Sequence, residues 1–343
     1  MSAALDDRCS SATDGEIAAI NLESARRRAW ARFAHDPLLT GAPEAVLDHE
    51  HLAAQFLGDL DALDRLETLA SQFAEVDDSA RAALVLAEVA STAHRFDDAR
   101  EHLARAGLAG GPREAIERHT LTIDQACGVR LDAVLNARRR IATATGRLHD
   151  LVPLGALLVD LERFSEADEV YRQAFLSYED VSPFPLAWVC FQLGALWGEL
   201  VSVPDPSLAA VWYRRAIAYV PGYVKARVHL AEIYLSQGQT SDAKALLLPA
   251  LASQDPEARW RLADVLSAEA RFEDAAAQLA AARSGFELLL VRHLLAFADH
   301  AAEFYAGSGN DCHRALTLAR ANVANRPTRR AVSQADAIAA RCR

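Results

Sequence analysis

Glycine and proline are scarce: the chain of 343 residues holds 16 and 12 of them. A β-sandwich or an open sheet of this length draws on both residues at its turns, so the shortage points to helices. Lysine is scarcer still, present only as Lys225 and Lys244. Arginine carries nearly all the positive charge, and the Arg- and Ala-rich usage suggests a GC-rich bacterial genome. The formal net charge of −11 works against binding nucleic acid or an anionic membrane, since both need concentrated positive charge. The five cysteines, Cys9, Cys127, Cys190, Cys312 and Cys342, are odd in number and never spaced Cys-x-x-Cys. That pattern speaks against a structural zinc site or a disulfide framework and fits a reducing cytosol.

Long apolar runs are missing too. None follows Asp6, Asp7 and Arg8, so no signal peptide is expected. The longest, residues 184–197, is shorter than the roughly 20 residues of a bilayer span and is interrupted by Pro185 and Gln192. A cytoplasmic protein without a membrane anchor is the expectation. No Gly-rich phosphate loop, nucleophile elbow or paired-carboxylate motif occurs, so no catalytic residue, metal ligand or cofactor is assigned.

What is present is helical periodicity that repeats. Hydrophobic residues make up 51% and charged residues 24%, enough apolar content to exclude wholesale disorder. In 224–255, Val228, Leu230, Ala231 and Tyr234 recur at helical spacing, Gly238 and Thr240–Ser241–Asp242 break and restart the helix, and Ala243, Leu247, Ala250 and Leu251 continue it. The unit is a helix–turn–helix of about 34 residues. Two antiparallel helices need small side chains where their backbones come closest and large ones around them, and Ala231 and Ala243 supply the small ones. The same frame returns at Leu86–Ala87 with Phe96, Ala99, Leu103 and Ala106, and at Leu154–Gly155 with Phe164, Ala167, Tyr171 and Ala174. It returns again at Leu193–Gly194 with Ala209, Tyr213 and Ala216, where a Pro-rich turn adds about three residues. Later copies sit at Leu262–Ala263 with Ala275, Leu279 and Ala282, and at Ala301–Ala302 with Tyr305, Ala315 and Ala319.

This sequence resembles the tetratricopeptide-repeat family over about residues 80–327. The stretch 113–146 keeps the length but offers Leu121, Asp124 and Arg130 where small or aromatic residues belong, and 43–74 fits only as a generic helix pair. The resemblance implies an all-α fold, a right-handed superhelical solenoid of antiparallel helix pairs, more elongated than a sphere of equal mass. The expected organisation is a disordered tail at 1–13, an N-terminal helical or degenerate repeat region at 14–78, the repeat array at 79–327 and a capping helix at 328–343. Asp14 or Thr13 would cap a first helix that stops at Asp36–Pro37.

In such arrays the first helices line a concave groove that binds a partner segment, through residues that flank the packed Leu. Carried over, this implicates Arg81, Glu88, Arg118, Trp188, Phe191, Lys225, Glu232, Trp260, Asp264, Asp299 and Glu303. The three aromatics either face the groove or pack between repeats. The charges would run from basic (Arg81, Arg118) to acidic, favouring a protein or peptide partner with apolar anchors and basic flanks. The Lys and Asn pairs with which some relatives clamp a C-terminal carboxylate are missing. The function implied is a non-catalytic scaffold or adaptor. One alternative stays open: an enzyme, or an enzyme-associated protein, using the cluster His293, His300, Cys312 and His313 with Asp299, Glu303 and Asp311 beside it. The basic helix around Arg26–Arg27–Arg28, with Trp30 and Phe33, reads as a solvated face with both aromatics turned inward.

Overall fold

The computed structural model describes residues 12–343. The tail expected at 1–13 lies, for residues 1–11, outside the described residues. Ala12 packs against the core, and the Thr13 amide donates to the Val181 carbonyl at 2.7 Å, so structure begins before the expected boundary.

Among the described residues the regular elements are all helical. Three helices lead in: α1 (Gly15–His35), α2 (Ala42–Leu57) and α3 (Ala62–Ala74). Asp14 caps α1, its carboxylate accepting from the amides of Glu16 and Ile17. Phe33 is buried, Trp30 donates to the buried Glu50 at 2.7 Å, and Arg26 pairs with Asp59, so this basic helix is tied into its own neighbours.

The repeats follow as antiparallel pairs: α4 (Ala80–Thr92) with α5 (Phe96–Leu108), α6 (Arg113–Ala126) with α7 (Leu131–Thr145), and α8 (Leu148–Asp160) with α9 (Phe164–Ser177). Then come α10 (Pro183–Ala195) with α11 (Pro206–Tyr219) and α12 (Val224–Ser236) with α13 (Thr240–Ala250). The extra residues between α10 and α11 form a π-helical turn, Leu196–Leu200, and a loop whose Asp205 caps α11. Next stand α14 (Pro256–Ala268) and the long α15 (Phe272–Ala306). His293, at φ −138° and ψ 52°, breaks α15 in two. Its first part closes one repeat and its second part opens the next, which α16 (Cys312–Asn325) completes before α17 (Arg329–Arg341).

Packing explains the repeating letters. A Cβ on Gly155 would stand 2.5 Å from the Tyr171 ring, and one on Gly194 would stand 2.6 Å from Tyr213. In three repeats the first helix carries Ala instead of Gly and the second carries Leu instead of Tyr: Ala87 with Leu103, Ala231 with Leu247, Ala263 with Leu279. The pair volume is kept while the members change. Most turns between paired helices pass through the left-handed region, at His94, Gly128, Glu162, Gly238, Ala270 or Asn310, and the next amide returns to a carbonyl of the first helix.

Two features go beyond the sequence reading. Distant parts of the solenoid touch. Phe56 of α2 packs on Phe184 and Tyr223 with ring centroids 5.1 and 4.7 Å apart. The Gln254 amide donates to the Gly58 carbonyl at 3.0 Å, and His293 Nε2 lies 2.7 Å from Asp64 of α3. Asn325 donates to the His94 carbonyl at 3.0 Å, and Arg329 pairs with Glu162 at 2.7 Å. The lead-in helices α2 and α3 thus reach the middle and late repeats, and the last repeat reaches the turn of the first. The second feature is a correction and concerns the cysteines: Cys312 and Cys342 form a disulfide, with Cα atoms 5.5 Å apart, that ties the start of α16 to the end of α17. Thirty residues of sequence hid a contact that the antiparallel pair creates. Cys127 and Cys190 are buried thiols, and Cys9 lies outside the described residues. No helix among the described residues is long and apolar enough to cross a membrane.

Candidate functional site

The concave face holds a cavity of about 800 Å³. Its walls are the first helices of successive repeats. Thr122 and Gln125 come from α6, Val152, Pro153 and Ala156 from α8, and Trp188 and Gln192 from α10. His229 and Glu232 belong to α12, Glu257, Trp260 and Arg261 to α14, and Asp299, His300 and Glu303 to the second part of α15. The remaining wall is α17, through Ala331 and Gln334, with Thr328 and Arg330 beside them. This helix was expected only to cap the last repeat; it also borders the groove.

Several expected groove residues line this space: Trp188, Glu232, Trp260, Asp299 and Glu303. Trp188 is half-buried and offers ring surface. Trp260 is only 5% exposed. It packs edge-on against Phe286 and Phe304, donates to Ser308 at 3.0 Å, and carries the Arg261 guanidinium 3.6 Å above its ring. Its contacts are those of a packing residue. Phe191 stands outside the lining, with Tyr213, Tyr223 and His229 at 5.3–5.6 Å.

The charges are largely consumed internally. Arg81 turns away from the groove, pairing with Glu44 at 2.6 Å and donating to the carbonyls of Leu38 and Leu39. Arg118 is held by Asp150 and Glu114. Glu88 lies beside it in a second cavity of about 460 Å³, where burial and the nearby Asp48 and Glu44 push its carboxyl up to about 7. Lys225 is half-buried outside the lining. Asp264 accepts from Ser308 at 2.7 Å and from Arg261 at 3.4 Å. Glu232 pairs with Arg261, Asp299 with Arg326 at 2.7 Å, and Glu303 with Arg341 at 3.5 Å.

Two histidine–carboxylate pairs set the electrostatics of the acidic half. His229 Nδ1 is 2.5 Å from Glu199, which also accepts from Tyr213 at 3.1 Å. Burial would raise Glu199, but the His229 charge and these hydrogen bonds outweigh it and hold the carboxyl down at about 2. His300 bonds to Glu257. The Glu257 charge raises the imidazole to about 9 against the opposing effect of burial, with Asp299 adding to the rise.

The cluster His293, His300, Cys312 and His313 is not assembled. His293 serves Asp64, His300 serves Glu257, and Cys312 is spent in the disulfide. No group of three or more His, Cys, Asp or Glu placed to hold a metal occurs among the described residues.

Four of the residues missed from the sequence share a position. Pro153, Gln192, His229 and Arg261 each stand immediately before the packed Leu of their repeat, Leu154, Leu193, Leu230 and Leu262. That register was readable. The contribution of α17 was not, because it depends on distant contacts.

Residues 205–255 match the family model of the tetratricopeptide repeat, which spans α11 to α13 and includes the clearest unit of the sequence. Over the whole fold, the chain superposes on the Cut9 and Hcn1 hetero-tetramer of APC/C at a TM-score of 0.51, with 13% identity, covering 92% of this chain and 52% of that one. Residues 205–255 thus carry a tetratricopeptide repeat, and the fold as a whole is of the tetratricopeptide-solenoid kind. A tetratricopeptide repeat protein from Parabacteroides merdae ATCC 43184 is similar at 12% identity and a TM-score of 0.43, covering 81% of this chain and 98% of that one. MamA is similar at 18% identity and a TM-score of 0.41, covering 49% and 94%. Identities this low speak of fold alone. No curated protein matches the sequence. The tetratricopeptide fold is in general a protein-interaction scaffold, and in this chain the first helices line a partly open cavity.

Proposed function

We propose that this repeat protein is a non-catalytic scaffold that holds a segment of a partner protein in the groove bordered by α17. The observation that carries the reading is the cavity of about 800 Å³ running across the first helices of successive repeats. That volume and mixed lining suit a short segment with a few anchoring side chains. Trp188 is the aromatic that offers surface to an apolar anchor. Glu232 and Glu303 face the same space and favour a basic neighbour beside that anchor, steering encounter more than adding affinity.

Selection of a peptide library against the purified chain tests this. Trp188→Ala is expected to weaken the selected peptides by about 2 kcal/mol or more if the ring is a hot spot, with melting temperature nearly unchanged. A variant that melts early and binds in proportion to its folded fraction would mark Trp188 as a packing residue and retire the groove reading.

A further inference from the structure

The degenerate repeat breaks its own packing rule at one buried residue. On the inward face of most second helices, a small residue, a large apolar residue and another small one recur at spacings of four and three. They are Ala99, Leu103 and Ala106; Ala167, Tyr171 and Ala174; Ala243, Leu247 and Ala250. In α7 the buried Val134 takes the first of these positions, at 1% exposure, and the central one falls on Arg138.

Arg138 is 9% exposed. It forms no ion pair among the described residues, and its Nε is buried without a hydrogen-bond partner. Its one protein hydrogen bond is a long one, from Nη2 to the Thr122 hydroxyl at 3.4 Å. The nearby Asp150 does not neutralise it, since Arg118 and the Thr145 hydroxyl already occupy that carboxylate. The charges that face Arg138 are therefore Asp150, already satisfied, and Arg118, of like sign. A guanidinium buried without a counter-ion is costly, and burial pushes this one down to about 10. The side chain also borders both the main cavity and the smaller one beside it. The Nε is shut off from both cavities, so the guanidinium can meet a ligand there only through its terminal Nη groups.

We propose that Arg138 is an oxyanion site in the floor of the groove, filled by a carboxylate that the partner segment brings. This deepens the scaffold reading and rests on it. A planar fork of donors in a low-dielectric wall suits the two oxygens of a carboxylate. Thr122 would orient the fork, and Arg330, exposed at the rim of the main cavity, would add positive potential. With Glu232 and Glu303 at the far side, the groove would read a segment from acidic to basic.

The test compares the full chain with Arg138→Met. In chloride buffer, Arg138→Met is expected to melt no lower than wild type, because the position is apolar in neighbouring repeats. Acetate or phosphate, at matched ionic strength, should raise the melting temperature of wild type by a few degrees and leave Arg138→Met unmoved. A capped triglutamate peptide should bind wild type about tenfold or more tighter than capped triglutamine, with the preference lost in the variant. If the small anions act through Arg138 while triglutamate does not bind, the oxyanion site stands with a free ligand and the partner-segment reading falls. If triglutamate binds both proteins equally, the groove holds a segment and the Arg138 assignment is overturned. A variant that melts early, with no anion response in wild type, makes the guanidinium structural and overturns it as well.

Discussion

Ala270 is an exposed residue in a conformation that its side chain resists. The best repeat places Gly238 at the left-handed turn with φ 75°, while the next repeat places Ala270 there with φ 57°. A Cβ in that region costs about 1–2 kcal/mol; glycine removes the cost and returns part of it as unfolded-state entropy. Ala270→Gly is therefore expected to stabilise the chain by about 0.5–1 kcal/mol in urea unfolding, against the usual direction of a glycine substitution. A loss would show that the turn is held by contacts beyond its own backbone. Titration acts at the same scale. His300 lies near 9 in the folded chain against an ordinary 6.5, raised by Glu257 and Asp299 and opposed by burial and by Lys225. A raised imidazole gives stability that is fully present below about 6.5 and is lost as pH climbs through about 9. Thermal unfolding between these limits should show wild type losing ground to His300→Gln. Parallel curves would mean that the pair does not couple to folding. The imidazole is partly exposed, with 44% of its side-chain surface open, so solvent and salt moderate the effect.

At the scale of elements, much was legible and the exceptions are instructive. Helix pairs, their turns and the Pro-rich insertion could be read because each is local: the Gly155–Tyr171 and Ala231–Leu247 pairs sit within one repeat, where spacing fixes contact. Trp188 and Glu232 could be placed on the groove for the same reason. Trp260 lines the same space and also packs against Phe286 of its own repeat and Phe304 and Ser308 of the next, contacts that spacing within one repeat shows only in part. Arg81 meets Glu44 and the loop before α2, contacts from outside the array that spacing does not reveal. Helix α17 depends on a distant contact in the same way, through the Cys312–Cys342 disulfide. Closing a loop of 30 residues contributes about 3–4 kcal/mol in the chain-entropy account. Cys312→Ser is expected to lower stability by up to that amount and to speed hydrogen exchange most in 329–341, the wall of the groove. Exchange that rises uniformly along the chain would deny α17 its separate anchoring.

The whole molecule is the solenoid that its repeats suggest, with added contacts between distant segments. In an open array, neighbouring units carry all the stability, and a fault spreads only one repeat each way. Here Phe56 bridges to Phe184 and Tyr223, Arg292 reaches Asp61, and Asn325 holds His94. Each links parts that a linear array would keep apart, so end and middle should unfold together. These contacts also set size. A compact chain of this length has a radius of gyration of about 20 Å, and the array, hollowed by its groove, should scatter only slightly above that value. Phe56→Ala removes the ring that seats α2 on the array. A buried Phe→Ala change costs about 3–5 kcal/mol, and this one should also swell the particle as α1–α3 leave the array. Small-angle scattering of both proteins, with urea melts beside it, decides the matter. A wild type half as large again as the compact value would mean that these contacts do not form in solution. A Phe56→Ala variant that loses stability at constant size would mean that Phe56 supports the core but does not hold α1–α3 in place.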